Sequence, residues 1–219
     1  MSSRIETLAQ QVSDCRQCQR LTCYQSEQKK NYPTHHCAPV PQWGAARSRL
    51  LIVGLAPGLH GAGRTGKGFV GDASGAFLFQ ALDRFGFATS STPEEAALRQ
   101  TAITNIVKCL PPNNRPSSGE KSNCLPFLRD ELEMFAPGVR AKPRAILCLG
   151  SEAFYTVQSL LGLQREVFVH GKAISMSSNY SLFSSYHPSR LNVNTRRLTQ
   201  EMFFGVFAQI YQALSEADG

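Results

Sequence analysis

A carboxylate and an imidazole each lie next to an apolar run with the pattern of a buried strand. Asp72 lies near the end of the glycine-rich stretch 50–75, LLIVGLAPGLHGAGRTGKGFVGDASG, which starts with apolar residues and leads into a helical pattern. His187 follows the run 180–185 and precedes Pro188, which favours extended backbone at the histidine. Open α/β sheets bind ligands at the carboxyl ends of their strands. The two side chains therefore predict a site of chemistry at that edge.

The glycine-rich stretch has more than one interpretation. Residues 61–67, GAGRTGK, satisfy the phosphate-binding pattern G-x-x-x-x-G-K, but Gly68 follows where a hydroxyl should hold magnesium. A phosphate-binding loop also enters its helix at the lysine, whereas here the helix is expected only after Asp72. Glycines along a long loop instead let the backbone approach a planar or phosphorylated ligand closely. A flexible loop in which Asp72 merely caps the helix is the remaining alternative.

Seven cysteines in a chain without an export signal favour metal binding over disulfides. Four of them have ligand-like spacing, as a C-x-x-C pair and a wider pair: Cys15, Cys18, Cys109 and Cys124. By count, four thiolates fit tetrahedral zinc and a cubane iron–sulfur cluster equally well. Cys148 is expected to be a small core residue in a buried strand. Cys23 and Cys37 remain alternative ligands, and His35-His36-Cys37 forms a weak candidate metal site of its own.

Four apolar runs alternate with helical segments along the chain. The strands are expected at residues 50–54, 101–107, 145–149 and 180–185. Strands separated by helices form a parallel sheet that carries helices on both faces. We therefore predict an α/β protein: a single-domain, three-layer α/β/α fold over residues 1–219, with a central, mainly parallel four-stranded sheet and an N-terminal segment that carries the first cysteine pair.

Length and charge favour one domain with an anionic partner. A chain of 219 residues with 42% hydrophobic residues can bury one sizeable core. The 23 Lys and Arg against 16 Asp and Glu give a net charge of +7, and many of the cations, Lys108 among them, fall in predicted loops. The apolar runs are too short to cross a membrane and the start MSSRIETLAQQV is no signal peptide, so we expect a soluble, intracellular protein.

Two motifs resemble those of the uracil-DNA glycosylase superfamily. GLAPG followed by RTGKGFVGDASG is similar to the first motif of that family, and HPSRLNVNTRRLT, starting at His187, is similar to the second. The GDASG ending points to the iron–sulfur branch called family 5. The cysteines, with Cys109 in the context KCLPP, match the ligands by which that branch holds a [4Fe–4S] cluster. Gly63, Gly68 and Leu191 depart from the residues usual in the family, which bears on substrate range and on the wedge that enters DNA.

The resemblance implies a monofunctional DNA glycosylase that initiates base-excision repair. Such an enzyme flips a nucleotide out of the duplex and hydrolyses the N-glycosidic bond of uracil, with hypoxanthine, xanthine and hydroxymethyluracil as further expected substrates. Asn105 would read the base, and neutral His187 would donate a hydrogen bond to base O2 as negative charge grows there. Asp72 would either orient the attacking water or stabilise the positive sugar.

The resemblance also assigns three groups of binding residues. The substrate-binding group is Gly54, Ala56, Pro57, Gly58, Phe69 and Asn192. The DNA-binding group, with Leu191 as the wedge, is Arg64, Lys67, Arg115, Arg190, Leu191, Arg196 and Arg197. The ligands of the [4Fe–4S] cluster are Cys15, Cys18, Cys109 and Cys124.

A second hypothesis is a non-catalytic iron–sulfur module that binds nucleic acid or transfers electrons. It explains the cysteines and the basic loops but gives Asp72, Asn105 and His187 no shared purpose. Under the first hypothesis we expect a monomer that acts on DNA containing uracil or other deaminated bases, binds no membrane, and lies in the cytoplasm, on the nucleoid if the source is a prokaryote.

Overall fold

The computed structural model describes residues 3–45, 48–136 and 142–215. The helices in these ranges are α1 (Arg4–Asp14), α2 (Gln19–Asn31), α3 (Ala62–Thr65), α4 (Ala73–Arg84), α5 (Ser118–Phe135), α6 (Ser151–Leu160), α7 (Arg190–Asn194) and α8 (Gln200–Ser215), with a short 3-10 turn at Pro112–Asn114. The strands are β1 (Trp43–Gly44), β2 (Leu50–Gly54), β3 (Thr101–Asn105), β4 (Arg144–Leu149), β5 (Ala173–Ser177) and β6 (Tyr180–Ser185).

The strands form one sheet in the order β1-β3-β2-β4-β6-β5. The inner four, β3, β2, β4 and β6, are parallel, so their carboxyl ends meet at one edge. The outer strands β1 and β5 are antiparallel to their neighbours. The predicted α/β fold with a mainly parallel sheet is confirmed, but the sheet has six strands in place of four. The edge strands escaped prediction because β1 has two residues and β5 alternates exposed and half-buried residues without an apolar run.

Alternation along the inner strands gives the sheet two apolar faces, and helices cover both. In β2, Leu50 and Ile52 belong to one core cluster, whereas Leu51 and Val53 belong to the other. The first cluster is completed by apolar residues of α4 and α8, and the second by residues of α2, α5 and α6. Continuous apolar strands are required where both faces of a parallel sheet are buried. The predicted three layers therefore follow from the strand sequences.

Local signals fix where the helices next to the ligand edge begin. Asp72 caps α4, because its carboxylate accepts a hydrogen bond from Gly75 N. Ser117 begins α5 with a reciprocal capping box, and Ser189 caps the short α7. Cys148 is fully buried in β4, which confirms its predicted place in the core. Among the described residues, no helix is both long and apolar enough to span a bilayer.

Candidate active site

A cavity of about 310 Å³ opens at the carboxyl ends of the parallel strands. Its walls bring together Asp72, Asn105, His187 and Phe69 with the backbone turn 55–58. These residues come from three separate strand ends, as the topology of a parallel sheet allows. The volume lies at the lower end of the range of small-molecule sites. The cavity thus collects the three predicted catalytic residues and most of the predicted substrate-binding residues.

Asp72 is fixed by one carboxylate oxygen and presents the other to the cavity. Oδ1 accepts from Gly75 N at 2.9 Å, within the first turn of α4. The helix N-terminus favours the negative charge there. Oδ2 faces Gly58 and Gly61, and a β-carbon at position 61 would collide with it. The glycine at 61 therefore makes room for the carboxylate.

Asn105 lies beside Gly54, its register partner in the neighbouring strand β2. A β-carbon at position 54 would collide with Asn105 Oδ1 and would lie 3.0 Å from Phe69 Cε2. Asn105 is 4% exposed, and within the described ranges its side-chain amide has no hydrogen-bond partner. A buried amide both donates and accepts, and leaving it without partners is costly. The side chain is therefore available to a ligand that presents complementary groups.

Phe69 and His187 form the aromatic part of the wall. Their ring centroids are 5.7 Å apart with planes inclined by 32°. Phe69 has a φ of +60°, a left-handed conformation that is uncommon for a bulky residue and that functional sites retain more often than other places. The ring is held against Gly54, which has no side chain to push it away. This arrangement gives a flat ligand an apolar surface.

Burial favours the neutral form of His187, which can donate a hydrogen bond. Burial lowers the pKa of His187, and the Asp72 carboxylate opposes that shift. Its backbone carbonyl accepts hydrogen bonds from Asn192 Nδ2 and from Ser189 N, each at 2.8 Å. Asn192, expected to contact the base, is instead placed on the carbonyl of His187. The hydrogen bond from Asn192 therefore helps to fix the backbone of His187.

The predicted basic residues divide into two sets by their protein contacts. Arg64 donates to His60 O and Gly71 O at 3.1 Å and pairs with Glu94 at 3.4 Å, so it braces the glycine-rich loop. Two more cations lie over aromatic rings, Lys67 at 5.5 Å from the Trp43 ring and Arg197 at 4.6 Å from the Tyr186 ring. Among the described residues, no contact of these kinds is present at the side chains of Arg115, Arg190 and Arg196, although all six basic residues are exposed.

The region around α7 presents a large aliphatic side chain to solvent. Leu191 is 72% exposed, next to Arg190 on this short helix. Arg190 also lines a second depression that shares Asp72 with the main cavity.

Lys108, expected among the loop cations that face an anionic partner, is 1% exposed and pairs with Glu131. That expectation was wrong, because Glu131 of α5 lies opposite the lysine inside the fold.

Asn114 is a residue of the cavity that the sequence did not reveal. It follows the two prolines at 111–112 and has a φ of +55°, which asparagine tolerates better than most residues. A β-carbon at Gly58 would lie 3.6 Å from Asp72 Oδ2 and 3.7 Å from Asn114 Oδ1. The two oxygens therefore flank the same glycine and face the same small volume. An asparagine after a Pro-Pro pair was the signal available in the sequence.

Four cysteines from distant segments meet beside the carboxyl end of β3. Cys15 ends α1, Cys18 caps α2, Cys109 follows β3 and Cys124 lies in α5; we call them the cysteine quartet. Burial, together with the nearby thiols of Cys124, Cys15 and Cys18, raises the pKa of Cys109 to about 12. Cys37 has a different neighbourhood, in which Lys29 opposes the effect of burial on its pKa, and Cys23 is exposed. In the parts of the chain that are described, no set of three His, Cys, Asp or Glu side chains is arranged to hold a single metal ion.

Comparison with known proteins agrees with this fold. Residues 41–214 match the model of the uracil DNA glycosylase superfamily. The crystal structure of wild-type Pedobacter heparinus SMUG2 is similar in fold, with a TM-score of 0.55 at 13% identity over 99% of this chain and 100% of that one. The chain belongs to the uracil-DNA glycosylase superfamily.

Within this superfamily the chain is similar to type-5 and to type-4 uracil-DNA glycosylases, and the type-4 protein of Pyrobaculum aerophilum is 34% identical over 156 residues, 68% of this chain. The chain is 41% identical to the type-5 uracil-DNA glycosylase of Pyrobaculum aerophilum over 196 residues, which are 86% of this chain and 84% of the relative. It is 38% identical to the type-5 enzyme of Mycobacterium leprae over 216 residues, 93% of both chains. The chain therefore belongs with the type-5 uracil-DNA glycosylases.

Proposed function

We propose that the chain is a monofunctional uracil-DNA glycosylase that hydrolyses the N-glycosidic bond of uracil in DNA and so initiates base-excision repair. The observation that carries the proposal is the meeting of Asp72, Asn105 and His187 in one cavity with Phe69. A non-catalytic module has no need of a carboxylate, an unpartnered amide and a neutral imidazole in one place. Membership of the type-5 enzymes supports the same reaction.

The cavity accounts for recognition of an extruded base. A base must leave the duplex to be reached, at a cost of about a few kcal/mol. Phe69 offers the ring face on which the base would stack. The side chain of Asn105, buried without a protein partner, would pair with the base carbonyl and N–H groups. A base that presents a complementary donor and acceptor would use both polar atoms of this amide, which line the cavity.

The bond breaks when the base leaves as an anion and water adds to the sugar. Neutral His187, the form that burial favours, would donate a hydrogen bond toward the base oxygen where charge develops. Asp72 Oδ2 and Asn114 Oδ1 flank Gly58, which suits a water held between them, and the carboxylate equally suits a positive sugar. Of the described residues that line the cavity none is a lysine, which favours water over an amine as the nucleophile. We therefore propose hydrolysis without strand cleavage.

The base range and the DNA surface extend the proposal. Hypoxanthine, xanthine and hydroxymethyluracil are further proposed substrates, because Asn105 has both a donor and an acceptor to offer. The cations Arg115, Arg190 and Arg196 are exposed, so we place the DNA phosphates against them, with Leu191 entering the duplex. We also propose that the protein acts as a monomer, where the DNA of the cell lies.

The cysteine quartet fits a [4Fe–4S] cluster, and we propose that it holds one. Four soft thiolate donors are the ligand set that such clusters take. Burial and the neighbouring thiols raise the pKa of Cys109, so a bound cluster would supply the positive charge that keeps these sulfurs deprotonated. Such a cluster would tie α1 and α2 to the loop after β3 and to α5. We give it a structural role.

The test is release of free uracil under single-turnover conditions from a duplex that carries one uracil. The wild-type protein should release the base and leave the strand uncut. Asp72→Asn should lose about 10²–10⁴-fold and His187→Gln about 10²–10³-fold, with both proteins folded by circular dichroism. Absence of free base from protein with a normal metal content would reject the glycosylase and leave the non-catalytic module.

The identity of the base separates the two catalytic roles. His187→Gln should lose more activity on hypoxanthine than on 5-fluorouracil, because the poorer leaving group depends more on the hydrogen bond. Asp72→Asn should slow every base to a similar degree, since it acts on the water or the sugar. Equal losses on all bases for His187→Gln would remove it from the leaving-group role.

A further inference from the structure

Lys108 and Glu131 form an ion pair deep in the protein. Nζ lies 2.7 Å from Glu131 Oε2, and the side chains are 1% and 2% exposed. For comparison, the pair Lys121–Glu152 is 28% and 54% exposed. Removing two charges from water costs about as much as their attraction returns, so a buried pair adds little net stability. Stability alone therefore does not explain charges at this depth.

The ammonium of Lys108 has hydrogen-bond acceptors for all its donors. Two of these acceptors lie at the end of β3, and the third is the carboxylate of Glu131 in α5. It donates to Thr104 Oγ1 at 2.6 Å, to Asn105 O at 2.8 Å, and to Glu131 at 2.7 and 2.9 Å. The Thr104 hydroxyl donates to Glu131 Oε2 at 2.8 Å. The network thus joins three residues of a single five-residue segment, 104–108, to one carboxylate of α5.

The peptide bond between Asn105 and Ile106 is fixed by hydrogen bonds at both its carbonyl and its N–H. Its carbonyl accepts from Lys108, and its N–H, that of Ile106, donates to Gly54 O at 3.0 Å. The backbone of Lys108 is fixed in turn, because its carbonyl accepts from Val40 N at 2.7 Å. With the backbone set in this way, the direction of the Asn105 side chain into the cavity is also set.

We propose that Lys108 is a positioning residue for base recognition: its buried ammonium fixes the end of β3 so that the Asn105 amide faces the edge of the extruded base. Lys108 touches no ligand and acts through Asn105. The inference rests on the proposed function, because Asn105 needs a base to recognise. Glu131 holds the ammonium in place by accepting two hydrogen bonds from it.

The decisive variant is Lys108→Met together with Glu131→Met, which removes both charges without leaving one buried alone. Such replacements keep or raise stability in other proteins, so the variant is expected to fold. Single-turnover release of uracil should fall on the order of tenfold, since misplacement of a reacting group by about 1 Å can cost up to about 100-fold. The matched control, Lys121→Met with Glu152→Gln, should keep the wild-type rate.

A double-mutant cycle with Asn105→Ala distinguishes positioning from stability. If Lys108 acts through Asn105, the Lys108 and Glu131 changes should cause no further loss of activity once Asn105 is alanine. Losses that multiply would overturn the proposal, as would a wild-type rate in the folded double variant. Should that variant not fold, Thr104→Val keeps the ion pair and removes one acceptor. It should give a smaller loss that also vanishes with Asn105→Ala, and a loss that persists there would count against the proposal.

Hydrogen exchange separates failure of this inference from failure of the proposed function. Exchange at Ile106 N–H should be faster in the double variant than in wild type, with α5 unchanged, whether or not uracil is released. Unchanged exchange at Ile106 would overturn the positioning role even in an active enzyme. Wild-type protein that releases no uracil would reject the glycosylase and with it the recognition role, while the exchange result would still report whether Lys108 fixes the strand end.

Discussion

The cavity and the cysteine quartet lie at the same end of the sheet but are built differently. In the cavity, the Asn105 side chain packs against Gly54 and the Asp72 carboxylate against Gly61, because neither glycine has a β-carbon. The quartet instead gathers four side chains from α1, α2, the loop after β3 and α5. The cavity depends on free space next to the backbone, whereas the cysteine quartet depends on the proposed cluster that would join its four sulfurs. Changes in the cavity should therefore alter rate, and changes in the quartet should alter stability first.

The largest effect on stability is expected for Cys109→Ser. Cluster binding contributes to folding free energy, and each kcal/mol lost lowers the melting temperature of a protein of this size by about 2–4 °C. We expect a fall of more than roughly 10 °C and loss of bound iron, measured by thermal unfolding and metal analysis. Cys23→Ser, at an exposed cysteine, is the control and should change neither. Stoichiometric zinc without iron after anaerobic purification would contradict the proposed cluster.

Gly61→Ala should be the counterpart in the cavity, with a large effect on rate and a loss of stability limited to about 0.5–2 kcal/mol from disturbing the Asp72 cap of α4. The new methyl would displace the Asp72 carboxylate, which we expect to slow uracil release about 100-fold. Gly205→Ala is the matched control, because no atom lies within 4 Å of its β-carbon, and it should gain up to about 1 kcal/mol from helix propensity. Single-turnover rates and unfolding curves measure both. A wild-type rate for Gly61→Ala would contradict the role given to this glycine.

Leu191→Ala tests whether the exposed residue on α7 enters the duplex. Extrusion from a G·U mismatch is cheaper than from an A·U pair, so the loss should be larger for A·U, on the order of tenfold. Val167→Ala, at a residue that is 71% exposed, should affect both duplexes equally or not at all. Equal losses on the two duplexes for Leu191→Ala would exclude the wedge.

The smallest effect is a slope of stability with pH. Burial lowers the pKa of His187 and of His170, although the Asp72 carboxylate and the Met202 carbonyl respectively oppose it. Below the ordinary histidine pKa of about 6.5, the unfolded chain binds protons that the folded protein resists, so stability falls as pH drops and is constant above. Urea unfolding between pH 5 and 8 should show this slope, and His187→Gln should reduce it. A flat profile from pH 7 to 5 would contradict the buried neutral state.

The four inner strands and the start of α4 were predictable because their signals are local. A run such as Leu50–Gly54 is apolar on both faces, and Asp72 precedes a helical pattern. The burial of Lys108 was not predictable, since it depends on Glu131, 23 residues away on another element. Asn114 was missed for a similar reason, because only the fold of the loop after β3 brings it to the cavity. The position of Asn192 on the His187 carbonyl likewise needed coordinates.

The two edge strands bear on how the protein behaves when it is concentrated. β1 has only two residues, and the pairing of β5 with β6 shifts register between Ser175 and Ser177. A free strand recruits another chain only where it offers a regular row of unpaired N–H and C=O groups. A short strand on one side and an irregular one on the other interrupt that row. The edge strands thereby protect the apolar parallel strands from pairing with the sheet of another copy. Such pairing would cause aggregation when the protein is highly expressed.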